Sequence, residues 1–166
     1  MSFLGMKKEH WGTYIARALL IIYVLIIIKL VVFKYPIDLL INHLKNWSVS
    51  TVKEGIMSAN LIPFTSIIMY IRYYYKINGF ANLFGNILVF VPYGMLLPFT
   101  SKGNKKWWIP TLYGFTLSTF IEVFQLLTRF GEFDIDDILL NTLGALLGFL
   151  VFKVLKRCFY ELISDK

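Results

Sequence analysis

Four apolar stretches, at residues 14–33, 81–99, 107–127 and 135–155, each have about the length needed to cross a lipid bilayer. A hydrocarbon core about 30 Å thick takes about 20 residues of helix, and a backbone inside it must satisfy its own hydrogen bonds. Four such stretches in 166 residues leave little room for any other architecture. The expected fold class is all-α: a polytopic membrane helix bundle of four transmembrane helices forming one domain over residues 1–166. Composition agrees, with 57% hydrophobic residues, 16% charged residues and a mean hydropathy of +0.64; a soluble domain carries more charge.

The first stretch follows Lys7 and Lys8. It is longer than a signal-peptide core and no small-x-small cleavage site follows it, so an uncleaved signal anchor is expected. The segment at 34–79 is too long and too apolar for a linker. Residues 36–47 are amphipathic and end in Trp47, which suits a helix lying on the membrane surface. Residues 61–71 are apolar but short for a span and predict an interfacial or re-entrant element between the first and second spans, with Tyr73, Tyr74 and Tyr75 at headgroup level. Pro92 is expected to kink or break the second span.

A net charge of +7 raises the question of nucleic acid, but the basic residues flank the apolar segments. Lys7 and Lys8, then Lys102, Lys105 and Lys106, then Lys153, Lys156, Arg157 and Lys166 fall on one side of a four-span topology. That is the positive-inside pattern, and it predicts both termini in the cytoplasm and no nucleic-acid partner. Cys158 is the single cysteine, which excludes an internal disulfide and a metal site built on paired cysteines. His10 and His43 lack metal-ligand spacing.

The working part of the chain is expected where polar residues enter the spans. Asp134, Asp137, Asn141, Gly144 and Gly148 recur at steps of three and four, one stripe along a helix. A charge at the centre of a membrane helix costs about 2.5–3.5 kcal/mol, so the stripe should face protein, water or a ligand. Asp134 suits an N-cap; Asp136 is expected to point away from the stripe and to cap or face water. Asn82 and Asn86 share a face of the second span, and Glu122 and Gln125 share one of the third. With the N-terminus inside, Asn86, Glu122 and Asn141 all fall about 8–11 Å below the outer surface at 1.5 Å per residue. The amides serve equally as interhelical hydrogen bonds. An acid within a span, such as Glu122, is a functional-site hypothesis by default. Gly144 and Gly148 fit close helix packing. Arg129 reads either as a counter-ion to these acids or as an interfacial anchor.

Taken together, Asn60-Leu-Ile-Pro-Phe64, Asn82-x-x-x-Asn86 with Phe90-x-Pro-x-Gly94, Glu122-x-x-Gln125 and Asp134-x-x-Asp137-x-x-x-Asn141-x-x-Gly144-x-x-x-Gly148 resemble the VanZ family. The resemblance covers residues 14–155. It implies a small, multi-pass protein of the bacterial cell membrane and envelope, in a group whose founding member is associated with resistance to the glycopeptide antibiotic teicoplanin. Asn86, Glu122, Gln125, Asp134, Asp137 and Asn141 match its pattern residue by residue. No reaction comes with the family. Three functions are therefore weighed. The first is a non-enzymatic protein whose polar pocket (Asn82, Asn86, Glu122, Gln125, Asp134, Asp137, Asn141) binds a lipid-linked wall precursor or a lipoglycopeptide at the outer leaflet. The second is a membrane enzyme using the carboxylates on a lipid-linked substrate, with a divalent cation or a carboxylate base. The third is a transporter, disfavoured because polar groups confined to one leaflet make a poor path. No cofactor is expected beyond that optional cation, and the sequence does not give the oligomeric state.

Overall fold

The computed structural model describes residues 11–31, 36–73, 75, 78–100 and 106–164. These form seven α-helices: α1 (Trp11–Val31), α2 (Ile37–Lys45), α3 (Val49–Ser58), α4 (Thr65–Arg72), α5 (Gly79–Leu96), α6 (Trp108–Thr128) and α7 (Ile135–Ser164). A 3-10 turn, Leu97–Phe99, extends α5. Extended pairing among the described residues is confined to one bridge, between Asn60 and Asp134. Residues 32 and 33 of the expected first span lie outside the described residues, as do Lys7, Lys8, His10, Lys34, Tyr74, Lys76, Lys102, Lys105 and Lys166.

Among the described residues three helices are long and apolar enough to cross a membrane: Trp11–Leu30, Gly79–Phe99 and Ile135–Cys158. α6 is as long as α1, at 21 residues, but its Thr, Ser, Gly, Glu and Gln content lowers its hydropathy. Among the described residues the fold is thus all-helical, with three helices apolar enough to serve as membrane spans. The chain stays helical through Pro92, so the expected break does not occur. In lipid, neighbouring helices stabilise a helix through such a residue.

α5 and α7 form the central pair. An added Cβ on Gly144 would lie 2.2 Å from the Ile87 carbonyl oxygen, and one on Gly148 2.0 Å from that of Val91. Both glycines therefore let two backbones touch, and any side chain there forces the helices apart. α6 lies along the other side of α7 at three levels. Gly114 meets Ala145, Ser118 bonds Asn141 and Glu122 bonds the backbone at Asp134. α1 is the outlier. Only 11% of its apolar stretch is buried, against 44% for α7. It is tied on by the Tyr23 hydroxyl, which donates to the Val89 carbonyl at 2.9 Å, and by the Arg17 Nε, which donates to the Thr100 carbonyl at 3.0 Å.

Candidate functional site

The polar residues gather where the N-terminal ends of α5 and α7 meet the C-terminal end of α6, and the 59–67 segment closes them over. That closure starts with Asn60. Its N–H donates to the Phe133 carbonyl (2.8 Å) and its carbonyl accepts from Ile135 N–H (3.1 Å). Its side-chain amide donates to Ser66 Oγ and to Asp134 Oδ1, both at 3.0 Å, and its Oδ1 accepts from Ile62 N–H at 3.3 Å. The chain then turns at Pro63-Phe64, where Phe64 takes a left-handed conformation (φ 70°) and enters α4.

Asp136 receives that helix. Its carboxylate accepts three backbone N–H groups, from Phe64 (2.5 Å), Ser66 (2.8 Å) and Ile67 (3.1 Å). A helix start leaves such donors without intrahelical partners and favours negative charge. Of the two alternatives expected for Asp136, the structure shows the cap: it caps α4, and with 0% exposure it does not face water. Three charge-stabilising bonds explain how an acid can be buried so completely. Asp134 caps α7 as its spacing predicts, with Oδ1 accepting from Asp136 N–H at 2.9 Å, while Oδ2 accepts from the Ser66 hydroxyl at 2.5 Å. These two acids thus carry the framework that docks α4 onto α7.

Behind this framework Glu122, 1% exposed, accepts the Asp134 N–H on Oε2 at 2.9 Å. Asn141 donates its amide to Ser118 Oγ at 2.8 Å, and both are buried. Gln125 is buried, with its amide against the backbone of Gly131. Asp137, like Asp134, is only partly buried, and it accepts the Asn86 side-chain amide on Oδ1 at 2.5 Å. Tyr70 of α4 stands near the same acids. Burial, and then the negative charges of Asp137, Asp134, Asp136 and Glu122, push its phenol up to about 12. It is therefore a neutral hydroxyl across the physiological range.

Of the seven residues expected in the pocket, Asn86 bonds Asp137 and Glu122 bonds the backbone of Asp134, whereas Asn141 bonds Ser118 and Gln125 lies against Gly131. Asn82 is exposed one turn before Asn86. Arg129 caps α6 in a left-handed conformation (φ 58°), and its guanidinium donates to the Ser58 hydroxyl of α3. Sequence reasoning missed Ser66, Tyr70, Ser118 and the receiving role of Asp136. Ser118 was findable, since 118, 122 and 125 follow the same steps of four and three. Asn60 stood in a recognised motif without being given a role. Among the described residues no group of three or more His, Cys, Asp and Glu side chains is placed to hold a metal ion.

The comparisons with known proteins bear on this constellation. A family model described as VanZ/LLP1 matches residues 20–156, a stretch that contains every bond of this site. The chain belongs to the VanZ family. A relative, Protein VanZ of Enterococcus faecium, is 29% identical over 138 residues, which cover 82% of this chain and 73% of that protein. No solved structure matches. Family membership and the apolar helices together make this a membrane protein of the antibiotic-resistance-associated VanZ group.

Proposed function

We propose that this is an envelope protein that contributes to tolerance of teicoplanin-type glycopeptides by binding a lipid-linked or lipophilic ligand at the outer leaflet. The observation that carries this reading is the partly buried Asp137–Asn86 pair, with the neutral Tyr70 hydroxyl within electrostatic reach of Asp137. An amide, a carboxylate and a phenol suit the hydroxyl, amide and ammonium groups of a sugar–peptide headgroup. Asp134, Asp136 and Glu122 are engaged in holding backbone N–H groups, so their part is to fix the pair in place.

Four passes with both termini in the cytoplasm fit this reading. α6, about 32 Å long at 1.5 Å per residue, runs beside α7 at three levels and returns the chain between two apolar spans. α4, at 8 residues, is too short to cross and serves as an interfacial or re-entrant cover. Arg17, Lys106, Lys153 and Arg157 lie toward the end away from Asp137, which the positive-inside bias assigns to the cytoplasm. Cys158, the single cysteine and exposed, reports on this directly. An impermeant maleimide should leave intact cells unlabelled and label them after permeabilisation; labelling of intact cells would invert the topology.

The function is tested by teicoplanin susceptibility of a sensitive Gram-positive host carrying empty vector, wild type, Glu122→Gln or Asp137→Asn, with membrane abundance matched by immunoblot. Wild type should raise tolerance and Asp137→Asn should abolish the gain. Equal sensitivity of all strains would remove the glycopeptide role. Full protection by Asp137→Asn would reduce the pair to a structural bond.

A further inference from the structure

At the opposite end of the bundle, α1 stands off from the central helices and leaves a half-open groove of about 670 Å³. Small-molecule sites run to about 300–1,000 Å³. Its walls are Leu20 and Val24 of α1, Leu97 of the 3-10 turn, Ile109 and Tyr113 of α6 and Phe149 of α7, with Tyr93 reaching in from α5. Two cations, Arg17 and Lys106, also stand in the lining. A third, Lys153, has its ammonium 6.0 Å from the ring centroid of Phe149.

We infer that this groove is a binding site for one anionic membrane phospholipid, with an acyl chain between α1 and α6 and the phosphate between Arg17 and Lys106. Three observations lead there. The cavity is apolar along its length and cationic at one end, the inverse of an anionic amphiphile. Arg17 spends one donor on the Thr100 carbonyl, which pins the guanidinium at the groove and leaves its terminal nitrogens for a further acceptor; a guanidinium suits a phosphate through paired donors. Finally, Arg17 lies exposed in the second turn of α1 with its guanidinium 5.9 Å from the Tyr14 ring centroid, and neither an aromatic face nor a backbone carbonyl supplies a full negative charge. Basic pockets between membrane helices on the cytoplasmic side recognise lipid phosphates by this chemistry. The surrounding bilayer supplies the ligand without any soluble carrier.

Native mass spectrometry of the full chain, released from micelles doped with equal phosphatidylglycerol and phosphatidylcholine, tests this. Wild type should retain one phosphatidylglycerol with about tenfold or greater preference. Arg17→Gln and Lys106→Gln should each lower that preference about fivefold. Lys29→Gln removes a cation from the other end of α1, outside the groove, and should leave the preference intact. Lys106 is exposed, so its variant keeps the test valid where Arg17→Gln loosens α1. Equal retention of the two lipids, or a preference that follows net charge in Lys29→Gln as well, would overturn the inference. A lipid-free dimer that dissociates on Leu20→Trp would assign the groove to a second copy instead.

Discussion

The two ends of the bundle handle the membrane in opposite ways. At the Asp137 end, acids, amides and hydroxyls are drawn into the helices and satisfied by one another and by backbone N–H groups of α4 and the 133–136 turn. At the α1 end the walls are apolar, the charges stay at the rim and the helices do not close. About 18 Å of α7 separates Asp137 from Phe149 at 1.5 Å per residue. Polar groups in low dielectric bind only if each has its partner, and that demands a rigid, fully connected network. Apolar surface in lipid carries no such demand, so a loose helix and an open groove cost little there. The rigid end is suited to discriminating a headgroup; the loose end is suited to being filled by lipid.

The sharpest way to break the contrast is to remove Asp136. Asp136→Ala leaves three backbone N–H groups at the start of α4 without their acceptor. The expected loss is about 3 kcal/mol or more. The heated protein in micelles should lose its monodisperse size-exclusion peak at a much lower temperature, and α4 should become the first site of proteolysis. Asp136→Asn keeps one acceptor and should lie between. Unchanged melting in both would mean that α4 is held by its apolar contacts alone. Phospholipid retention at the far groove should persist in whichever variant still folds, since the two ends share no hydrogen bond.

Gly148→Val attacks what the ends do share. A Cβ there falls 2.0 Å from a backbone carbonyl of α5, so α5 and α7 must separate, an overpacking of about 1–3 kcal/mol. Both the Asn86–Asp137 bond and the groove depend on that spacing. Tolerance and lipid preference should therefore fall together in this variant. Loss of one without the other would show that the ends are positioned independently.

How far the sequence foretold this contrast depends on the range of the interactions. The stripe at 134–148 and the pairs on α5 and α6 were legible because helical spacing is a local property. So was the N-cap at Asp134. What escaped was the docking of residues 60–67 onto residues 133–136, across more than 65 positions, where the donors are backbone groups that leave no mark in the side-chain alphabet. Asp136 illustrates the point. Its periodicity says only that it leaves the stripe, and the helix it meets is set by tertiary structure. The groove was equally invisible, since Leu20, Ile109 and Phe149 lie within apolar stretches and nothing local marks them as one wall.

Ser118 and Asn141 allow a finer comparison. Ser118→Ala with Asn141→Leu removes both partners of a buried bond, so no polar atom is stranded. Interhelical bonds of this kind contribute about 0.6–2 kcal/mol. The double variant should melt only slightly below wild type, whereas Ser118→Ala alone leaves the Asn141 amide unpaired and should be the less stable of the two. The reverse order would mean that the pair supports more than helix packing, and teicoplanin tolerance would then be the next quantity to measure.

Tyr70 provides the smallest expected effect and the most specific one. Its phenol has an ordinary value of 10.0 and is pushed up to about 12 by burial and by the four nearby acids. A folded-state value above the unfolded one means that below pH 10 both states hold the proton and the group is neutral in the balance. Between pH 10 and 12 the unfolded chain ionises while the folded one resists, so stability falls through that window. Because Tyr70 is only partly buried, solvent screening makes the loss modest. Tyr70→Phe should abolish its share of the alkaline decline while leaving melting at pH 7 nearly unchanged. The same variant asks what the hydroxyl does at neutral pH: reduced tolerance with unchanged stability would place it on the ligand, and unchanged tolerance would leave Asp137 and Asn86 as the only groups presented to it. A decline that is identical in the two proteins would mean that Tyr70 ionises as freely in the fold as out of it, and that the acids at this end are screened from α4.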